Sequence, residues 1–322
     1  MNLDDVLYPA IEPFDSGHVP VGDGHRLYYE QCGNPNGIPI VYLHGGPGGG
    51  FRPHNRRYYD PSVWRVILFD QRGCGRSEPY ASVEANTTEH LVDDIEVLRR
   101  HVGVERWAVT GGSWGSLLSL AYAQRYPERC MGLLMRGICL GRKMERTWWW
   151  DEGTRWLFPD RWEALRDFLP EEERGNLLAS YHKRLHDPDP NVHLPAAVAF
   201  RTYSGWTVSF RPDENYVKAV AEPRQALTIA RLFTHYCVND FFVGDDDILS
   251  RIDRIRHIPG IIIQARYDVV TPARSAWDLH KAWPEAEFKI VNDGNHSVDE
   301  PDMAAAMIEG QRRLAELIAG QP

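Results

Sequence analysis

The chain has 322 residues, of which 43% are hydrophobic and 25% are charged, and its formal net charge is -9. This composition is typical of a soluble globular protein with a large core, and the scattered Lys and Arg of an acidic chain argue against nucleic acid as a partner. No apolar run approaches the roughly 20 residues that a membrane-spanning helix needs, so no membrane partner is expected either.

The N-terminal segment and the cysteines indicate the compartment. The segment MNLDDVLYPAIEPFDSGHVP is acidic and lacks the basic end and apolar stretch of a secretory signal. The cysteines are odd in number and widely spaced, without a CxxC pair: Cys32, Cys74, Cys130, Cys139 and Cys237. We therefore expect a cytoplasmic protein with reduced thiols, no structural zinc site and no cofactor.

Strand and helix signals alternate from residue 26 to residue 137. The predicted strands are RLYYEQC, IPIVYLHG, WRVILFD, RWAVTGG and MGLLMRG. Between the third and fourth strands, a helix is predicted to open at Asn86 as N-cap, with Glu89 three residues later as in a capping box. The buried face of this helix is predicted to comprise Leu91, Ile95, Leu98 and Val102.

The same alternation returns near the end of the chain. The strand IPGIIIQARYD is followed by a helix through Trp277 and Leu279, the strand EFKIVND and a terminal helix. Strands that are apolar throughout and separated by helices predict an α/β fold, with a mostly parallel sheet covered by helices on both faces.

Between about residues 141 and 240 the alternation stops. This stretch is helical in pattern, interrupted by prolines and rich in tryptophan, with Trp148, Trp149, Trp150, Trp156, Trp162 and Trp206. We predict an α/β core of residues 1–140 and 241–322, with residues 141–240 forming a helical cap domain. The cap would cover the carboxyl edge of the sheet, where open α/β sheets bind ligands, and most of its tryptophans would form its own core.

The run RWAVTGGSWGSLLSLA places a serine between a predicted strand and a predicted helix. The pattern Gly111-x-Ser113-x-Gly115 fits a nucleophile elbow, in which a strained turn exposes the hydroxyl and the glycines allow close approach of backbone. Ser113 is therefore the candidate nucleophile.

A serine nucleophile needs a base, and the base needs a group that orients it. In α/β folds with a nucleophile elbow, the acid and the histidine follow the serine in the chain, on loops after later strands. Asp268 follows the run GIIIQARY and His296 follows EFKIVNDGN, so these two are the predicted partners. Asp293 also lies near a strand end, but on the loop of the histidine itself, where a turn-making role suits it better.

Acyl transfer also needs hydrogen-bond donors for the developing oxyanion. The glycine-rich run HGGPGGG, residues 44–50, follows the predicted strand PIVYL. We assign the oxyanion hole to the backbone N–H groups of Gly46 and Trp114. A phosphate-binding loop would instead end in Gly-Lys-Ser/Thr, which is absent from the sequence.

These motifs carry a family resemblance. HGGPGGG, DQRGCGRS (70–77), GGSWGS (111–116) and RYD with its later NHS loop resemble the proline iminopeptidases, serine aminopeptidases of the α/β-hydrolase fold. The similarity extends to LYPAIEP near the start, RGICLGR (136–142) and HIPGIIIQARYDVVTP (257–272). The resemblance implies an α/β-hydrolase fold, Ser113 as nucleophile with Asp268 and His296, and a helical cap that bears the specificity pocket.

The chain departs from this family where the substrate amine would bind. Cap glutamates recognise the free amine in the family, in motifs resembling WxxWEG and ARIENHYF. The matching runs here are FRTYSG and ARLFTHYC, which place Ser204 and Phe233 at the glutamate positions. A buried ammonium without a carboxylate partner is costly, so the usual recognition of the amine is expected to be lost.

The pocket walls differ as well. RGIF of the family is RGIC here and HYF is HYC, which puts Cys139 and Cys237 at aromatic positions, whereas Trp149 remains aromatic. The histidine loop carries Asn295 where the family has glycine, and asparagine tolerates a left-handed backbone. We expect a serine hydrolase that cleaves an amide, ester or thioester of a small-molecule or peptide-like substrate, with an acyl group larger than proline.

Other functions remain open at this point. A true proline iminopeptidase would need another carboxylate in the pocket, such as Glu145, Glu152 or Asp240. A carbon-carbon bond hydrolase or a cyclase could use the same three residues, and a ligand-binding protein could be built on the same scaffold. An epoxide hydrolase or dehalogenase would need Asp at the position of Ser113.

Overall fold

The computed structural model describes residues 2–211, 214–245 and 247–321. The strands are β1 (Asp15–Gly22), β2 (His25–Gly33), β3 (Ile38–Leu43), β4 (Trp64–Phe69), β5 (Trp107–Ser113), β6 (Cys130–Ile138), β7 (Gly260–Ala265) and β8 (Glu287–Val291). The helices are α1 (Thr88–His101), α2 (Trp114–Arg125), α3 (Lys143–Trp150), α4 (Gly153–Leu157), α5 (Pro159–Asp167), α6 (Leu177–Leu185), α7 (Pro190–Thr207), α8 (Glu214–Val220), α9 (Pro223–Val238), α10 (Asp247–Ser250), α11 (Ala273–Ala282) and α12 (Pro301–Ala319).

The strands form one eight-stranded sheet in the order β1-β2-β4-β3-β5-β6-β7-β8. The pairs β1–β2 and β2–β4 are antiparallel and the others are parallel, which confirms the predicted mostly parallel sheet. Strand β1 was not predicted from the sequence, because this edge strand alternates partly buried with exposed residues and contains no continuous apolar run.

Alternate residues of the central strands pack against helices on opposite faces of the sheet. Val41, Val109 and Ile262 belong to a core that includes residues of α1, α2 and α11. Their neighbours Ile40 and Ala108, one residue earlier in their strands, pack in a second core with residues of α12. Every residue of β5 and β7 is buried. Burial on both faces explains why these strands are apolar throughout.

The first long helix begins one residue later than predicted. Thr87, not Asn86, is the N-cap of α1, since its side chain accepts a hydrogen bond from the backbone N–H of His90. The side chain of Asn86 is used elsewhere, donating to the carbonyl of Arg72 and accepting from the hydroxyl of Tyr236. A tertiary contact, invisible in the local sequence, therefore decides which residue caps the helix. The four apolar residues predicted for its inner face are buried.

Helices α3 to α9 lie between β6 and β7, in the stretch predicted to be a cap. Residues of α3, α5, α6, α7 and α9 form most of a third apolar cluster. Trp149 and Trp150 are buried in this cluster and Trp162 packs against it, whereas Trp156 is 78% exposed and takes no part in it. The described helices include none with both the length and the hydropathy to cross a bilayer.

A buried ion pair connects the loop after β4 to α1. The Arg72 guanidinium donates to both carboxylate oxygens of Asp94, at 2.7 and 2.8 Å. The side chains of the two residues are 2% and 1% exposed. Burial raises the pKa of Asp94 to about 6 in spite of its arginine partner. Arg72 therefore offsets only part of the cost of burying the Asp94 charge.

We expect Arg72→Met to lower the free energy of unfolding by about 3–5 kcal/mol at neutral pH, because the Asp94 charge would be buried without a partner. An acid whose pKa is higher in the folded than in the unfolded protein loses stability as the pH rises through the folded value. Loss of Arg72 should raise the folded pKa of Asp94 further, so the variant takes up its proton at a higher pH than the wild type does. The deficit should therefore shrink as the pH falls towards about 6 and stay constant below it. Urea unfolding at several pH values measures it.

Arg256→Met is the matched control, since Arg256 pairs with Glu285 at the surface, with 39% and 47% of the two side chains exposed. Its loss should cost no more than about 1 kcal/mol. Equal effects of the two substitutions would contradict the importance given to the buried pair.

Candidate active site

Ser113 is the last residue of β5 and directly precedes α2. Its backbone has φ 58° and ψ -127°, a conformation that non-glycine residues rarely adopt. The side chain lines two cavities on this side of the sheet. The strained strand-to-helix turn is that of a nucleophile elbow.

The glycines around Ser113 are required by close backbone contacts. A Cβ atom on Gly115 would lie 2.0 Å from the carbonyl oxygen of Leu43, and one on Gly111 would lie 2.3 Å from the carbonyl oxygen of Gly115. Such distances are far inside van der Waals contact. Any side chain at either position would therefore push α2 away from β3 or from β5.

The structure brings Asp268 and His296 together from the loops after β7 and β8. Nδ1 of His296 lies 2.9 and 3.0 Å from the two carboxylate oxygens of Asp268. The same carboxylate accepts hydrogen bonds from the backbone N–H groups of Val270 and Thr271 and from the Thr271 hydroxyl. Burial would raise the pKa of Asp268, but the charge of His296 and these hydrogen bonds outweigh it and lower the pKa. Asp293 is exposed and takes no part in this pair.

The end of β6 places this pair beside the serine. In the sheet, Ser113 is the ladder partner of Ile138. A Cβ atom on the preceding Gly137 would lie 3.3 Å from an Asp268 oxygen and 3.6 Å from Cε1 of His296. Ser113 and His296 also line the same cavity. The candidate nucleophile, base and acid therefore meet at one edge of the sheet.

The histidine loop is held by hydrogen bonds that were not predicted from the sequence. Arg136 donates to the carbonyl of His296 at 2.9 Å, and the backbone N–H of Asn295 donates to Glu300 at 2.8 Å. Asn295 does not adopt the left-handed backbone that we considered for it, and its side chain instead accepts from the N–H of His296. A residue of β6 and the residue that precedes α12 thus position the imidazole, and no local motif marks them.

The loop predicted to hold the oxyanion lies next to Ser113. Gly46 and Trp114 both line a cavity with Ser113, and Trp114 is the first residue of α2, where backbone N–H groups have no helical acceptor. Gln71 connects the glycine-rich loop to the start of α2. Its side chain donates to the carbonyl of His44 at 3.0 Å and accepts from the Trp114 indole at 2.8 Å. His44 accepts from the N–H of Gln71, and burial lowers its pKa, which keeps it neutral.

Two cavities meet at Ser113, and all five predicted pocket residues line them. Cys139 and Cys237 line a cavity of about 60 Å³. Ser204 lines a second one of about 160 Å³, which also contains His296. Trp149 and Phe233 lie between the two, with ring centroids 5.1 Å apart, and line both.

The two pocket cysteines are not reactive thiols in this setting. Burial raises the pKa of Cys237 to about 12 and that of Cys139 well above its usual range. Both groups are therefore protonated at neutral pH and act as small apolar side chains. Among the residues that the structure describes, no three His, Cys, Asp or Glu side chains are grouped so that they could hold a metal ion.

None of the three acids considered for recognition of an amine is available. Glu145 lines the smaller cavity, but its carboxylate accepts from the backbone N–H groups of residues 140–142 and from the Ser275 hydroxyl. Glu152 is exposed and borders neither cavity. Asp240 pairs with Arg146, and 69% of its side chain is exposed. Of the described residues that line the two cavities, only Glu145 carries a carboxylate.

Comparison with known proteins agrees with this architecture. Residues 38–299 match the model of the α/β hydrolase fold family. The chain is 48% identical over 314 residues to a proline iminopeptidase of Arabidopsis thaliana, covering 97% of this chain and 83% of the relative. It is 49% identical over 309 residues to a probable proline iminopeptidase of Leptolyngbya boryana, covering 96% of each.

Among solved structures, a proline iminopeptidase-related protein of Thermus thermophilus has the same fold, with a TM-score of 0.62 and 21% identity. The match covers 97% of this chain and all of the other. The predicted α/β-hydrolase fold is therefore confirmed.

We expect Gly115→Ala to lower kcat/KM by about 100-fold or more, because the added Cβ would collide with the carbonyl of Leu43 and displace Ser113. Gly175→Ala is the matched control, since nothing lies within 4 Å of a Cβ built there. Ester hydrolysis should be normalised to the folded fraction found by circular dichroism. If folded Gly115→Ala hydrolysed the ester as fast as the wild type does, this account of the elbow would be wrong.

Proposed function

The chain belongs to the α/β-hydrolase fold family and, within it, to the proline iminopeptidases, and from this premise we propose that it is a serine hydrolase working through an acyl-enzyme on Ser113. The observation that supports this most strongly is the convergence of the Ser113 elbow with the Asp268–His296 pair at one sheet edge. The bond cleaved would be an amide, ester or thioester.

In the proposed acylation step, Nε2 of His296 takes the proton of the Ser113 hydroxyl as Oγ attacks the substrate carbonyl carbon. The carbonyl oxygen becomes an oxyanion that accepts hydrogen bonds from the N–H groups of Gly46 and Trp114. Asp268 accepts from Nδ1–H of His296, fixes the tautomer and stabilises the imidazolium. The imidazolium then gives its proton to the leaving group as the bond to the carbonyl carbon breaks.

In the proposed deacylation step, a water molecule gives a proton to His296 and attacks the acyl-enzyme. The second tetrahedral intermediate uses the same oxyanion donors. Its collapse breaks the bond to Oγ, returns the proton from His296 to Ser113 and releases the carboxylic acid. The net reaction consumes one water for each bond cleaved.

We further propose that the acyl group has no free ammonium that the enzyme recognises. The support is the carboxylate of Glu145, which lines the smaller cavity but is occupied by backbone N–H groups and the Ser275 hydroxyl. An ammonium in these cavities would thus lack an available anion among the described lining residues, and its burial would be unfavourable. The small side chains of Cys139 and Cys237 favour an acyl group larger than proline.

A true proline iminopeptidase, which releases N-terminal proline from peptides, is the second candidate. The observation that favours it is the identity of 48–49% to relatives that carry this name. The two candidates differ in one property that can be measured directly, the contribution of the substrate's ring nitrogen to kcat/KM.

We expect the enzyme to cleave cyclopentanecarbonyl 4-nitroanilide at least as fast as prolyl 4-nitroanilide, since the two rings have similar size and only the second carries an ammonium. Cyclohexanecarbonyl 4-nitroanilide should be cleaved at least as well. A fluorophosphonate should label Ser113 and should fail to label Ser113→Ala. A preference for the prolyl compound by about tenfold or more would instead establish the aminopeptidase.

Phe233→Glu provides the reciprocal test, because it places a carboxylate between the two cavities. It should raise the ratio of prolyl to cyclopentanecarbonyl turnover by about 10–100-fold. Phe233→Gln is the matched control, with the same shape and no charge, and it should leave that ratio near the wild-type value.

A further inference from the structure

One cation lies in the same cavity as Ser113 and His296. Arg201, on α7, donates from Nη1 to the Ser204 hydroxyl at 2.7 Å and from Nε to the carbonyl of Val220 at 3.4 Å. Within the described part of the chain, no carboxylate forms an ion pair with its guanidinium. Ser204 therefore orients the positive charge without neutralising it.

A third cavity, of about 410 Å³, adjoins the cavity that contains Ser113 and His296 and shares Gly49, Arg201 and Ile229 with it. We name it the arginine cleft, because its wall carries four arginines: Arg52, Arg76, Arg201 and Arg224. The protein as a whole has a net charge of -9, so a concentration of positive charge beside the nucleophile is not a property of its average surface.

The charges of the arginine cleft do not cancel. Arg76 is neutralised, since it donates to Asp70 at 2.8 Å and to Glu30 at 3.0 Å. Arg224 lies over the ring of Tyr80, with 4.9 Å between its guanidinium carbon and the ring centroid. In the described residues, neither Arg224 nor Arg52 forms an ion pair with a carboxylate. The other acid of the wall, Glu222, accepts from the N–H of Gln225 at the start of α9.

The environment of Arg201 favours binding of an anion. Burial, together with the nearby charge of Arg52, lowers the pKa of Arg201 to about 10, although the group remains charged at neutral pH. A half-buried guanidinium gains more from an ionic partner than a fully exposed one does. Its planar set of N–H donors also matches the two oxygens of a carboxylate.

We propose that the arginine cleft binds an anionic group of the substrate, such as a carboxylate, with Arg201 as the anchor. This assignment rests on the proposed hydrolysis at Ser113 and specifies the substrate class of that site. Arg201 acts on specificity, because it lies in the cavity of the reacting groups and orients the substrate by its charge. Arg52 and Arg224, which line the cleft and are exposed, add long-range attraction that screening by salt reduces.

Three 4-nitrophenyl-type esters of similar length test the proposal: neutral 4-nitrophenyl pentanoate, mono-4-nitrophenyl glutarate with its carboxylate on the acyl part, and 5-pentanoyloxy-2-nitrobenzoate with its carboxylate on the leaving group. We expect one of the two anionic esters to exceed the neutral ester in kcat/KM by about tenfold or more at low ionic strength. The preferred ester identifies which part of the substrate faces Arg201.

Arg201→Gln should reduce kcat/KM for the preferred anionic ester by about tenfold more than for the neutral ester, and Arg201→Lys should retain part of the preference. Lys183→Gln is the matched control, because it removes an exposed cation of α6 that does not line these cavities, and it should leave all three rates unchanged. Equal loss for all three esters in Arg201→Gln, or no preference in the wild type, would overturn the proposal.

A binding measurement separates this proposal from the proposed function. Glutarate titrated calorimetrically into Ser113→Ala should bind, and the added Arg201→Gln substitution should weaken its binding by about tenfold or more. Absence of ester hydrolysis and of fluorophosphonate labelling would refute the serine hydrolase. Absence of glutarate binding to Ser113→Ala, with the neutral ester hydrolysed by the wild type, would refute the anion site alone.

Discussion

The close approach of α2 to the ends of β3 and β5 is the constraint on which the candidate site depends. Ser113 adopts φ 58° at that junction only because Gly111 and Gly115 present no side chain to the backbone beside them. The same junction places Trp114 at the first position of α2, where its N–H is free of a helical acceptor. One strained turn thus positions both the hydroxyl and one of the two proposed oxyanion donors.

The residues proposed for catalysis and the residues proposed for substrate recognition lie on different parts of the fold. Ser113 is the last residue of β5, and Asp268 and His296 lie on the loops after β7 and β8, which hydrogen bonds such as that from Arg136 to His296 hold in place. The side chains proposed to select the substrate, Arg201 and Phe233, belong to helices α7 and α9 of the inserted segment. Substitutions in those helices can change charge and shape at the cavities without moving the strand ends.

Much of this arrangement could be predicted from the sequence, because its signals are local. The glycines around Ser113, and the positions of Asp268 and His296 after predicted strands, each depend on a few neighbouring residues. Strand β1 was missed since an exposed edge strand has no apolar signature. The N-cap residue of α1 was predicted one residue too early, because the side chain of Asn86 binds Arg72 and Tyr236 instead. The partners of the histidine loop, Arg136 of β6 and Glu300 just before α12, are not marked by any local motif.

The electrostatics of the cavities were the least predictable feature, because pairing of charges is a property of three dimensions. Glu145 could be named from the sequence as a candidate for binding an amine, yet its oxygens are used to fix the backbone that leads into α3. Arg201 was not predicted from the sequence as a site residue, since a single arginine in a helix usually lies at the surface with its charge in water. Within the described residues, the one carboxylate that lines these two cavities, that of Glu145, pairs with Arg142, whereas Arg201 forms no ion pair. The sign of the charge offered to a substrate is therefore positive, the opposite of what recognition of a free amine requires.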